Sequence, residues 1–188
     1  MPENSDGRQR PNVRGTPRSR LISSVVMLVI VAAGVVVYSI RKSNQLFDLG
    51  LEAHTRCALA GTYPALSPRF APMPQALLGA AGTREAVSAH QCTIEDREYV
   101  HVILRIDAML VSVLLTQKRD QETFPREFAG RTEEASGVTL HETRRAEKSV
   151  AAFESGNWLG YVISGLPEEK NSQLARKLVP VIDRYAKA

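Results

Sequence analysis

AVSAHQCTIEDREYVHVILRIDAMLVSVLLT, residues 86–116, is the stretch on which the fold turns. Three runs in it, 86–94, 99–106 and 109–116, are rich in Val, Ile, Leu, Tyr and Thr, the side chains that suit a pleated surface. Between them lie only Glu95-Asp96-Arg97-Glu98 and Asp107-Ala108. Breaks that short connect antiparallel neighbours, so the segment predicts a meander.

Toward the C-terminus, residues 118–136 (KRDQETFPREFAGRTEEAS) read as a charged, solvated loop. Further strands are expected at Val138–Glu142, Ser149–Glu154 and Trp158–Ser164, with Ser155-Gly156-Asn157 as the hairpin turn between the last two. Phe153, Trp158 and Tyr161 alternate with small residues and read as sheet packing. His141, beside Glu142, reads as a surface residue. Pro167 opens a final helix whose buried face is Leu174, Leu178, Val181, Ile182 and Tyr185, and Pro180 is expected to kink it.

Toward the N-terminus, Pro64, Pro68, Pro72 and Pro74 leave room only for a short turn of helix at Gln75–Ala80. Before them Leu46, Phe47, Gly50, Ala53, Cys57 and Ala60 recur at helical spacing, with Gly61 as the stop, so 43–60 is expected as a helix. The architecture is α+β: a helix, an antiparallel sheet of five or six strands and a closing helix.

Ahead of that domain runs LISSVVMLVIVAAGVVVYSI, Leu21–Ile40, with no charged residue. Its length as a helix is about 30 Å, the thickness of a bilayer's hydrocarbon core. A cleaved signal peptide is the competing reading, with Val31-Ala32-Ala33 as its cleavage site. The apolar run continues through Val35, Val36, Val37 and Tyr38, past the usual end of a signal's apolar region, and favours an anchor. Residues 1–20 read as a disordered arm carrying Arg8, Arg10, Arg14, Arg18 and Arg20. That excess over Arg41, Lys42 and Arg56 puts the N-terminus in the cytoplasm and residues 43–188 outside. The net charge is +4, and the basic arm beside a membrane suits anionic lipid headgroups. No nucleic-acid-binding signature is present.

Five residues stand out for chemistry: His54, Cys57, His90, Cys92 and His101. His54 and Cys57 share a helix face, and His90 and Cys92 share a strand face. A turn centred between Asp96 and Arg97 would set Cys92 opposite His101, with Cβ atoms roughly 5 Å apart. Thiolate with imidazole suits a Zn or Cu ion. Outside the cytoplasm, two cysteines also suit a structural disulfide, and buried unpaired thiols are a third reading. Ser112, Ser164, His101 and Asp107 do not form a recognisable hydrolase motif, and a chain without paired acid/base groups is not expected to be an enzyme.

Taken in order, the apolar helix, HTRCAL (54–59), HQCTIEDREYVHVILR (90–105), LVSVLLTQK (110–118) and VAAFESGNWLGYVISGLPEEKNSQLARKLVP (150–180) resemble the extracytoplasmic domain of bacterial membrane-bound anti-sigma factors. The resemblance covers roughly residues 20–188. It implies a bacterial inner-membrane protein with a periplasmic domain, a helix-plus-sheet fold, and a metal or redox role for His54, Cys57, His90, Cys92 and His101. It departs in the 20-residue N-terminal arm, which is too short to fold into the cytoplasmic domain that holds a sigma factor. The expected role is a membrane-anchored sensory or interaction module with a protein partner in the membrane or periplasm. The alternative is an accessory subunit of a larger membrane complex, braced by a disulfide.

Overall fold

The computed structural model describes residues 17–59, 63–83, 85–120, 122–124 and 131–187. The chain divides into two compact units, Met1–Tyr38 and Ser39–Ala188. Within the described residues, helix α1 (Pro17–Leu59) is continuous over 43 residues. The expected apolar helix and the helix expected at 43–60 are thus one element. Residues 1–16 of the expected arm and the expected stop at Gly61 lie outside the described residues.

The first unit contributes the apolar half of α1. Val25 to Val31 and Val35 to Tyr38 are exposed, although nearly all are aliphatic. Among the described residues one helix, Val25–Ala58, is long and apolar enough to cross a membrane, and only 6% of its most apolar window is buried. So little burial sets it apart from the core helix of a soluble domain. Length and composition of this kind are shared with signal sequences.

The second unit is an α+β domain built on one antiparallel sheet. Its strands are β1 (Ala86–Ile94), β2 (Arg97–Ile106), β3 (Met109–Gln117), β4 (Arg131–Ala135), β5 (Val138–Arg145), β6 (Lys148–Ser155) and β7 (Trp158–Ser164). Helix α2 (Met73–Ala81) precedes them, and α3 (Glu168–Lys187) follows and continues through Pro180. The spatial order β1-β2-β3-β7-β6-β5-β4 joins two meanders along β3 and β7.

The sheet has seven strands, above the five or six expected, because Arg131–Ala135, inside the stretch read as a loop, pairs with β5. Its sequence, RTEEA, is polar enough to hide a strand, and it lies at the end of the sheet with one neighbour.

Each of the five hairpins turns on two residues: Glu95-Asp96, Asp107-Ala108, Ser136-Gly137, Ala146-Glu147 and Gly156-Asn157. In every one the first loop residue has positive φ, from 45° at Ala146 to 56° at Glu95. That left-handed backbone matches the twist of the strands it joins. It also moves the first turn one residue upstream of the expected centre. Arg97 and Glu98 are strand residues, His90 lies opposite His101, and Cys92 lies opposite Tyr99. The expected Cys92–His101 pairing is therefore wrong by two positions. A slip of two leaves every side chain on its expected face, since strand faces alternate with period two.

Alternation splits the core. Val100, Val102 and Leu104 of β2 join Val111, Val113 and Phe153 under α2 and α3. Tyr99 of β2 joins Cys92, Leu114 and Tyr161 under α1, where Leu46, Phe47, Ala53 and Cys57 form the helix's buried stripe. Gly50 sits at the tightest point of that contact: a Cβ there would lie 2.5 Å from a ring carbon of Tyr161. His141 is buried on this side and stacked on Phe124, ring centroids 4.4 Å apart, so it is not the surface residue its polar neighbours suggested.

Candidate histidine–disulfide site

Three strands and one helix deliver the chemistry-bearing side chains to the α1 face of the sheet. Cys57 on α1 and Cys92 on β1 form a disulfide with Cα atoms 6.0 Å apart, both residues buried. Of the three sequence readings of these cysteines, the bridge is the one the structure adopts. It ties α1 down over the edge of the sheet, in the region where His90 and His101 face each other. Those two rings meet edge to face with centroids 5.0 Å apart.

His54 lies one turn before Cys57 and reaches β3, where its Nδ1 hydrogen-bonds to Ser112 Oγ at 2.8 Å. The same hydroxyl hydrogen-bonds to His101 Nε2 at 3.0 Å. A hydroxyl has one proton to give, so it cannot donate to both rings, and at least one imidazole must donate to Ser112. The tautomers of His54 and His101 are thereby coupled. His90 Nδ1 is held by Ser88 Oγ at 2.9 Å, and its ring is stacked on Tyr63, centroids 4.5 Å apart.

Burial then sets the charge state. His101 has no exposed surface, and its pKa is pushed down to about 3, first by loss of solvent and then by repulsion from His90 and His54. His90 is also lowered, by burial first, with the Cys57 carbonyl pulling weakly the other way. That pull comes without a well-formed hydrogen bond: His90 Nε2 and His101 Nδ1 are both buried and have no hydrogen-bond partner of good geometry. At neutral pH both rings are uncharged, which is the state in which imidazole can bind a metal.

Of the five residues singled out by sequence, donor atoms of Cys57, Cys92 and His101 all lie within 4.8 Å of one another. His90 packs against this group through His101, and His54 joins it through Ser112. While the bridge is closed, its sulfurs are not thiolates and do not act as strong ligands. The cluster can therefore offer its two sulfurs to a metal only when the bridge is reduced.

Ser88 and Tyr63 escaped the sequence reading, and Ser112 entered it only as part of a grouping without a hydrolase motif. A signal for its partnership does exist: Ser112 is the one polar residue in the run Met109–Leu115, and buried polar groups need partners. The pairing of Ser112 with His101 does not make a hydrolase. Among the described residues no carboxylate hydrogen-bonds to His54, His90 or His101, and Ser112 is itself buried. Asp107 instead faces Lys170 at 3.9 Å, and Ser164 donates to Asn171 Oδ1.

A groove of about 600 Å³ lies elsewhere, lined by Arg69, Phe70, Arg97, Lys118, Arg119 and Trp158 among others. Its cations are engaged already: Arg97 with Glu122, Lys118 with Glu154, Arg119 with Asp96, and Arg69 with the carbonyls of Tyr185 and Ala186. The histidine–disulfide cluster is the stronger site because its buried donors are left without partners. Comparison of the chain with protein-family models, with curated proteins and with solved structures gives no match.

Proposed function

We propose that the chain is a single-pass membrane protein presenting a sensory or interaction domain outside the cytoplasm, similar in role to the outer domain of membrane-bound anti-sigma factors. Its His/Cys cluster is the element that responds to redox state or to a metal ion. The observation that carries this reading is the Cys57–Cys92 bridge, buried beside His90 and His101 in a domain whose first helix is continuous with the apolar span. Bridges persist in oxidising compartments, which agrees with the orientation drawn from the arginine-rich N-terminus. Neutral buried imidazoles without a carboxylate partner favour binding over turnover.

Expressed in a bacterial host, the full chain is expected to stay in the membrane pellet after alkaline carbonate washing. A protease added to spheroplasts should remove a C-terminal tag and spare an N-terminal one. Recovery of a soluble mature form that begins just after Ala33 would overturn the anchor, and a tag protected at the C-terminus would overturn the orientation.

The closed bridge favours a second reading, an accessory subunit of a membrane complex in which the disulfide only braces the fold. Gentle solubilisation should then give co-migration with other membrane proteins in both oxidised and reduced samples. Migration as a free monomer counts against it.

A further inference from the structure

The disulfide and the orphaned imidazole nitrogen beside it point to a site with two exclusive states. His101 Nε2 is occupied by Ser112, while Nδ1 is fully buried and has no partner. If Nε2–H donates to Ser112 and Ser112 donates to His54, then Nδ1 is a bare lone pair. This arrangement satisfies both hydrogen bonds around Ser112 and leaves no buried N–H of His101 unpaired. An imidazole held at one nitrogen by a hydrogen bond and free at the other is the usual posture of a metal-ligating histidine. The free lone pair belongs to a side chain with a ring nitrogen within 4.8 Å of both sulfurs. Tetrahedral or trigonal ligands around zinc sit about 2.0–2.3 Å from the ion, so such a group needs only small movements to close on it.

We propose that reduction of the Cys57–Cys92 bridge creates a binding site for a zinc-like divalent ion, held by the two thiolates and His101 Nδ1, so that bridge and ion exclude each other. The idea rests on the proposed metal- or redox-responsive role of this cluster and gives it a mechanism. A dithiol delivers two electrons and two protons: the S–S bond breaks, Cys57 and Cys92 become thiols, and the dithiol is oxidised to its own disulfide. The divalent ion then displaces the two thiol protons and forms two metal–sulfur bonds, with His101 contributing a neutral nitrogen. A disulfide oxidant reverses the step: it takes two electrons from the thiolates and two protons from water to become its dithiol, the Cys57–Cys92 bond re-forms, two of the three ligands are withdrawn and the ion is released. Metal occupancy would thus report the redox state of the compartment in which the domain sits. Ser112 is the positioning residue, since it orients the His101 ring from the opposite nitrogen.

The test uses the full chain in detergent micelles and cobalt(II) as the spectroscopic probe. After anaerobic reduction with a dithiol and its removal, one equivalent of cobalt(II) should give thiolate-to-cobalt charge-transfer absorption and visible bands more intense than those of the hydrated ion. The oxidised chain should give neither. His101→Ala should weaken cobalt binding by at least about tenfold, a typical consequence of disturbing a metal's ligand shell. If reduction loosens the fold, cobalt(II) should restore the far-ultraviolet circular dichroism, because binding energy becomes folding energy at such a site. Two free thiols without charge-transfer absorption overturn the proposal. So does equal binding by the oxidised chain, or unchanged affinity in His101→Ala. Any of these results leaves the membrane reading standing, since carbonate extraction and protease access do not depend on cobalt.

Discussion

His101 concentrates the electrostatic cost of this domain in one side chain. Its folded pKa is near 3, against an ordinary value of 6.5, so the unfolded chain takes up the proton first as the pH falls. Stability is therefore complete above about pH 6.5 and is lost progressively between there and about pH 3. Urea midpoints of the oxidised chain should fall across that window, by a few kcal/mol in total, and the fall should be shallower in His101→Gln. Tyr161 tests a different cost. Its hydroxyl is fully buried without a hydrogen-bond partner, so Tyr161→Phe should raise stability by about 1 kcal/mol in the same assay. Removing the bridge with Cys57→Ala should cost about 4 kcal/mol for a loop with a 35-residue separation. The residues that carry these effects were only partly legible. His54, Cys57, His90, Cys92 and His101 announce themselves by type and spacing, whereas Ser112 acquires its role through neighbours 11 and 58 positions away and Tyr63 through one 27 positions away.

Elements were legible wherever periodicity was strong and the polar breaks were short. The strands at 86–94, 109–117 and 158–164 fall within a residue of their expected bounds, because Val, Ile and Leu runs leave few alternatives to a buried strand. Register was less legible, because a four-residue polar stretch can turn at more than one place. The left-handed backbone at Glu95 decided for the upstream turn, and Arg97 entered the strand to pair with Glu122. β4 was hidden for another reason: an edge strand with charged residues has no hydrophobic alternation to read. At the crossing of α1 over the sheet, Gly50 appears in sequence as just another member of the helical stripe. Its actual task is to admit the Tyr161 ring. Gly50→Ala should therefore destabilise the domain by about 1–3 kcal/mol despite the better helix propensity of alanine, as read from the thermal midpoint.

At the scale of the whole molecule, the boundary between the two compact units falls between Tyr38 and Ser39, within the residues of α1. A chain beginning at Ser39 keeps the buried stripe of α1, both faces of the sheet and the disulfide. It should fold alone as a soluble monomer with no titratable thiols; free thiols or aggregation in a thiol assay and gel filtration would show that the core depends on the apolar half. The sequence by itself determined the apolar span, the α+β class and the five candidate residues, since each is a matter of local composition or period. Only the tertiary structure decided that the cysteines pair, that His101 faces His90, and that Ser112 couples His54 to His101. These depend on which strand lies beside which and on where α1 crosses them. Such long-range pairings follow from packing energy shared over the whole core, which no single stretch of the chain contains.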